Sequence, residues 1–261
     1  MRTSKFERLK VGMVTALLCG TGAVASSGAP PAPLTAGQIF ETMLENYATL
    51  YSYSDRGQII TTMDGTVITT PFTTRLERPG FYRLEWEESS QTPFRADDSG
   101  LVGAWSFGVA SYMQLQSGLR MRYDRDVALA DVASSSGGTV VTIPMIFFHA
   151  RGVTGPGKLI GPERMPDAKV GKTDCYVIAG QMASGETKAF WIGKDDFLIY
   201  QVCTRVTPQV MQSSLMGLTG HDWQTGFHGS SSTETYTNIV VDKKFTTADF
   251  DPTFPLFTQS Q

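Results

Sequence analysis

Apolar positions along the chain change period once, and that change divides the sequence. Thr35 and Gln38 have the spacing of a capping box, and after them Ile39, Met43 and Tyr47 recur every four residues beside Phe40, Leu44 and Leu50. This predicts an amphipathic helix over 35–50. From residue 52 the period is two. Residues 52–63 and 66–78 are rich in Thr, Ile, Tyr and Phe, and Asp64-Gly65 between them is a hairpin signal. Pro79-Gly80 marks the next turn. Tyr82, Leu84 and Trp86 then alternate with Arg83, Glu85 and Glu87, which places the charged set on a wet face. A strand ending near residue 107 carries Leu101, Trp105 and Phe107 on one face, and Leu119, Met121 and Tyr123 alternate with Arg120, Arg122 and Asp124.

The pattern becomes helical again at mid-chain. Asp126 is placed to cap a helix running to Ala133, and Pro144 opens a second short helix, 144–150, whose Met145, Ile146, Phe147 and Phe148 are apolar on every side. Residues 151–158 read as a Gly-rich loop. Strands resume over 174–181, 187–194, 197–206 and 233–241, with a helix from Thr207-Pro208 towards Leu218 and a loop over 219–232.

The expected fold is mainly β (α+β), with eight to ten strands in a large curled antiparallel sheet or half-open barrel. It has an N-terminal helix and a mid-chain helical lid, 126–150. A sheet of that width cannot be covered by one helix, so it closes or acquires a lid. Ile68, Phe72 and Leu76, Tyr82, Leu84 and Trp86, and Leu101, Trp105 and Phe107 are the expected lining of the concavity. Met145, Ile146, Phe147 and Phe148 are the expected lid residues. Any one aromatic among them can equally be filled core; the cavity reading rests on the set. Nine of the eleven methionines lie beyond residue 25, and Met adapts to irregular apolar ligands as readily as it fills gaps.

Composition and charge narrow the classes. The 261 residues are 41% hydrophobic and 18% charged, which supports a packed core. The first ten residues are basic, Val11–Ala25 is apolar and small, and Ala23-Val24-Ala25 has the form of a cleavage site. The expectation is a signal peptide, 1–25, cleaved after Ala25, a Pro/Ala/Ser-rich tether, 26–34, and one domain, 35–261, in the periplasm or secreted. Lipid attachment at Cys19 is the lesser alternative, because Leu18 is not the small residue a lipobox wants. Without its first 25 residues the chain's formal charge falls from −3 to −6, which argues against a nucleic-acid partner. In an oxidising compartment Cys175 and Cys203 invite a disulfide, but a three-strand meander puts them at opposite ends of its outer strands, so they are expected to be unbonded.

Catalytic patterns are weak throughout. Gly152 to Lys158 meets GxxxxGK but is followed by Leu159 rather than Ser or Thr, and Pro156 removes a phosphate-facing N–H. His149, His221 and His228 form no metal-binding spacing, no GxSxG elbow is present, and Asp97-Asp98 points to opposite faces of a strand. No catalytic residue, metal or cofactor is expected. Arg56 and Arg75 read as surface charges, with a lid latch or a head-group contact for an acyl ligand as the lesser alternative, and Asp55 and Arg56 as a local pair of little energetic weight.

Several segments in this order resemble the LolA-like superfamily of periplasmic lipoprotein carriers. They are Ile39-Phe40-Glu41-Thr42-Met43, Tyr51 to Gly57, Pro71-Phe72-Thr73-Thr74-Arg75, Arg78-Pro79-Gly80-Phe81-Tyr82-Arg83, Val170 to Ile178, Phe190 to Ile199, Thr235-Tyr236-Thr237-Asn238-Ile239 and Phe250-Asp251-Pro252. The resemblance implies a half-open barrel with helices over its opening and acyl chains bound in the concavity. No motif here fixes an equivalent of the family carrier's functional arginine. The implied function is a non-enzymatic carrier or binding protein for lipids or lipoprotein acyl chains. Its partners would be a lipid or acylated protein, and a membrane-associated partner protein. The alternative is a periplasmic sensor or protein-interaction module of the RseB-like type.

Overall fold

A computed structural model describes residues 33–88, 100–115, 118–136, 140–149, 159–210 and 229–253, with backbone only for Glu88, Ser134 and His149. The signal-peptide and tether readings, Cys19, Asp97-Asp98, the 151–158 motif, most of the 207–218 helix, His221 and His228 fall outside the described residues.

Helix α1 (Ala36–Thr49) opens on the expected capping box: Gln38 N–H donates to Thr35 Oγ1 at 3.2 Å and Thr35 N–H to Gln38 Oε1 at 2.9 Å. Six strands follow: β1 (Ser52–Met63), β2 (Thr66–Glu77), β3 (Phe81–Glu88), β4 (Gly100–Phe107), β5 (Ser111–Leu115) and β6 (Gly118–Arg122). Helices α2 (Arg125–Ser135) and α3 (Thr142–His149) lead to β7 (Ile160–Val170), β8 (Thr173–Gln181), β9 (Thr187–Gly193), β10 (Ile199–Val206) and β11 (Ser230–Val241). A one-turn helix, Thr247–Phe250, completes the order.

All eleven strands form one antiparallel sheet in the order β6-β5-β4-β3-β2-β1-β11-β10-β9-β8-β7. The two outer strands do not meet, so the sheet is curled and unclosed, a half-barrel with helices on its concave side. Asp64 and Gly65 take positive φ in the β1–β2 turn, as the hairpin signal requires. At Gly57 a Cβ would lie 2.3 Å from the Phe72 ring and 2.4 Å from the Thr235 carbonyl oxygen. Glycine there lets Phe72 lie across β1 and meet Tyr236 edge-on at 5.6 Å.

Four expectations are corrected. Among the described residues there are eleven strands, because β5 and β7 were not foreseen. Pro162, Pro166 and four charged residues erase any alternation in β7, which sits exposed at the sheet edge, where prolines leave few ladder bonds to lose. Helix α2 is capped by Asp124, whose Oδ1 accepts from the N–H of Asp126 and Val127, rather than by Asp126. Helix α3 begins at Thr142, so Pro144 lies inside its first turn, where it costs no helical bond.

The fourth concerns Arg83 and Glu85, expected on a wet face but each only 6% exposed. Residues 242–253 run as a strap over the convex side of β2 and β3. Arg75 Nη1 donates to the Asp249 carbonyl at 2.9 Å and Arg83 Nη1 to that of Asp251 at 2.6 Å. Thr253 N–H and Oγ1 both donate to Glu85 Oε1, at 2.8 and 2.7 Å. Phe250 packs beneath the strap against Phe81 and Phe245. Alternation in β3 correctly separated two faces; a segment 168 residues away decided that the charged one is dry.

The meander β8-β9-β10 is also present. Cys175 pairs with Gly193 and Cys203 with Ala189, at opposite sides of β9 and four residues apart along it, about 13 Å. Both cysteines are free.

Candidate functional site

Register fixes which side chains share the concave face. Phe72 pairs with Trp86 and Leu76 with Tyr82, while Trp86, Leu84 and Tyr82 pair with Val102, Ala104 and Ser106. Phe72, Leu76, Tyr82, Leu84 and Trp86 therefore share the concave face and its core, and Ile68, four residues before Phe72 on β2, is buried on the same face. Leu101, Trp105 and Phe107 do not. Their partners across β3 are Glu87, Arg83 and Phe81, so they occupy the convex face. Trp105 stacks on Tyr112 there at 5.6 Å, and Leu101 is 39% exposed. The concave members of β4 are the smaller Val102, Ala104 and Ser106, and choosing the bulky alternate set inverted the strand.

Two helices occupy the concave side. Helix α1 lies over the β8–β10 half: Phe40 meets Phe190 at 5.3 Å, and Tyr47 Oη accepts the Ile199 N–H at 3.1 Å. Helix α3 crosses the other half. Ile143, Ile146, Phe147 and Phe148 are buried, Phe148 meets Tyr82 at 6.3 Å, and Met145 is partly buried against the core. Helix α3 thus packs on the concave face beside Tyr82. At the C-terminal end of α3, Arg78 donates to the Phe147 carbonyl at 2.6 Å and to those of Leu50 and Tyr47 at 3.0 and 3.2 Å. Its guanidinium also lies 4.5 Å from the Phe147 ring centre. One cation thereby satisfies terminal carbonyls of both helices, which favours it through the helix dipoles as well. Arg125 covers Phe148 in the same way at 4.5 Å.

The sequence reading missed an acidic stripe in this apolar bed. Tyr53 Oη donates to Asp55 Oδ2 at 2.7 Å on β1, and Tyr236 Oη donates to Glu234 Oε2 on β11. Glu234 Oε1 accepts from Thr142 Oγ1, the first residue of α3, at 2.9 Å. Asp55 Oδ1 has no hydrogen-bond partner among the described residues. Lys188, also buried, faces Glu234 from β9 and lies 3.9 Å from Glu186. Arg56 points to the opposite, exposed face, so the expected Asp55–Arg56 pair is not formed. A retrievable signal existed: Tyr53-x-Asp55 and Glu234-x-Tyr236 are both i, i+2 pairs, which strands hold on one face.

Burial dominates the electrostatics of this stripe. It pushes the Asp55 carboxyl up to about 7, against the hydrogen bonds from Tyr53 and Thr74 and with help from Glu234's charge. It pushes Glu234 up to about 7, against Lys188, Tyr236 and Thr142. The phenols of Tyr47, Tyr53 and Tyr236 are raised for the same reason, with the carboxylates adding to it. Among the described residues no group of His, Cys, Asp and Glu is placed to hold a metal ion.

The fold is a curled half-barrel with helices seated on an apolar, acid-studded concave face. No family model matches the chain, and no curated protein does. Solved structures do. LprF from Mycobacterium bovis is similar at 10% identity and a TM-score of 0.44, over 81% of this chain and 94% of that one. A LolA superfamily protein from Nitrosomonas europaea is similar at 10% identity and 0.34, over 84% and 99%. MucB, in its complex with MucA from Pseudomonas aeruginosa, is similar at 9% identity and 0.40, over 83% of this chain and 60% of that one.

Proposed function

We propose that this chain is an exported, non-enzymatic carrier or binding protein that takes up lipids or the acyl chains of acylated proteins on its concave face, in place of α3. The carrying observation is α3 itself, an apolar segment laid across an apolar stripe and fastened at its two ends, by Glu234 to Thr142 and by Arg78 to Phe147. Such a helix is an internal stand-in for an external apolar occupant.

The exchange has a size. Four buried α3 side chains contribute roughly 6–12 kcal/mol of burial, at about 1.5–3 kcal/mol each. At about 0.8 kcal/mol per buried CH₂, a ligand needs roughly 8–15 methylenes to replace them. Long acyl chains meet that requirement and short ones do not. The test is mass spectrometry of the protein purified gently from an exported preparation and extracted with organic solvent. A near-stoichiometric long-chain lipid is the expected result. A protein that comes out empty, and ignores added fatty acids and phospholipids, would refute the proposal.

A second reading, a module that binds another protein, is favoured by Leu101, Leu119 and Met121, which are exposed on the convex face beside the free β6 edge. In that case a partner would be lost, and any lipid kept, when Leu119 and Met121 are both replaced by Lys.

A further inference from the structure

The concave face is apolar, but its buried polar groups are not a neutral mixture. Glu234 and Asp55 lie on adjacent strands along one stripe. Glu234 is opposite Ile59, four residues from Asp55, which sets the two about 13 Å apart along the strand with Tyr236 between them. Both are almost wholly buried, at 1% and 4% exposure. The hydrogen bonds the two accept come from hydroxyls: Tyr236 and Thr142 on Glu234, Tyr53 and Thr74 on Asp55. Asp55 Oδ1 has no partner within hydrogen-bond distance among the described residues.

One of those donors is not part of the sheet. Thr142 belongs to α3, the segment an incoming ligand must displace. When α3 leaves, Glu234 Oε1 loses its donor inside an apolar surround, and a buried acceptor left unmade costs more than its bond contributes. An alkane or a plain ester cannot repair that loss, because neither carries a donor. A free carboxylate makes it worse, since it sets a second anion beside the first. Lys188 does not replace the lost donor: its ammonium lies 3.9 Å from Glu186 and makes no ion pair with Glu234 among the described residues.

We infer that the concave site selects amphiphiles whose polar end donates hydrogen bonds, through a hydroxyl or an amine, with that end taking the place of the Thr142 hydroxyl at Glu234 Oε1. This rests on the carrier reading and sharpens it: the acyl chain supplies affinity, and Glu234 sets which head group is accepted. Asp55 Oδ1 is a second acceptor on the same stripe for a longer or more highly hydroxylated head group.

The test compares three probes with one sixteen-carbon chain: 1-hexadecanoylglycerol, methyl hexadecanoate and hexadecanoate. Binding to the full-length protein, stripped of lipid, is followed at pH 8.5, where Glu234 with its carboxyl at about 7 is ionised, by displacement of a fluorescent apolar dye. The glycerol ester should bind at least tenfold tighter than either of the others, the worth of one charge-assisted hydrogen bond. Glu234→Met should bring the glycerol ester to within threefold of the methyl ester while leaving the methyl ester unchanged. Glu234→Gln, which keeps a carbonyl acceptor in place, should restore part of the preference and guards against a folding defect in the first variant. Equal binding of glycerol and methyl esters by the native protein overturns the inference but keeps the carrier. So does tighter binding of hexadecanoate, or a preference that survives Glu234→Met. If none of the three probes binds the native protein, the carrier reading itself falls, and this inference with it.

Discussion

Replacing Glu234 by Gln isolates the energetic consequence of burying an acid under α3. Unfolded, the Glu234 carboxyl ionises near 4.5; folded, burial carries it to about 7. Below pH 4.5 both states hold the proton and the native stability is at its fullest. Between 4.5 and 7 the unfolded chain gives up the proton while the folded chain retains it, so stability falls as the pH rises. Above 7 both states are ionised and the loss is complete. At about 1.4 kcal/mol per unit, the loss amounts to about 3 kcal/mol. Asp55, carried from 3.8 to about 7, acts in the same direction. Gln cannot ionise, and it still offers an oxygen to Thr142 or Tyr236, so its direct cost is about 1 kcal/mol, the worth of one rearranged hydrogen bond. Urea titrations followed by tryptophan fluorescence, run from pH 4.5 to pH 8, should show the variant slightly weaker at the acid end and stronger at the alkaline end. The difference between the two proteins should swing by about 3 kcal/mol across that range. Stabilities that run parallel with pH would refute the reasoning, because they would mean that folding leaves Glu234's proton affinity unchanged.

Other perturbations read other joints of the molecule. Arg78→Ala removes the donor shared by the Phe147, Tyr47 and Leu50 carbonyls, and should loosen α3 by about 2 kcal/mol. Amide exchange over 143–148 would then rise by more than tenfold while the β1–β2 hairpin stays protected; uniform change would contradict the local fastening. Gly57→Ala drives a methyl into Phe72 and the Thr235 carbonyl, and should cost about 2–3 kcal/mol in chemical denaturation, against a neutral change if the sheet can yield. Arg83→Met leaves the Asp251 carbonyl without its donor and Glu85 without its buried cation. It should release the strap, seen as faster exchange over 245–253, at a cost of about 3 kcal/mol.

Periodicity made much of this architecture legible. The capping box, the Asp64-Gly65 hairpin and the strict alternation of Phe81–Glu87 are local signals, and each produced its element. What it left hidden was decided across the chain. Alternation divides a strand into two faces without saying which one is concave; bulk favoured Leu101, Trp105 and Phe107, and pairing with β3 chose Val102, Ala104 and Ser106. Arg83 and Glu85 look solvated until the strap covers them. Asp55 looks like the partner of Arg56 because the two are adjacent, yet neighbours on a strand face opposite ways, and its companion is Tyr53. The acidic stripe needed β1 and β11 side by side, and that pairing has no local signal.

That pairing also governs how the chain can acquire its shape. Strands β1 to β6 form one meander and β7 to β10 another, and each zips from turn to turn over short stretches of chain. Within the sheet, among the described residues, the two are joined by β11, which inserts between β1 and β10 and sets Ile59 against Glu234 across about 175 residues. Closing so long a loop comes before any reward from the contacts, so the seam is the slow event, and both half-sheets wait for it with an edge unpaired. Until β11 arrives, β1 and β10 offer bare backbone to any other strand in reach, which makes the half-made molecule far more prone to aggregate than the finished one.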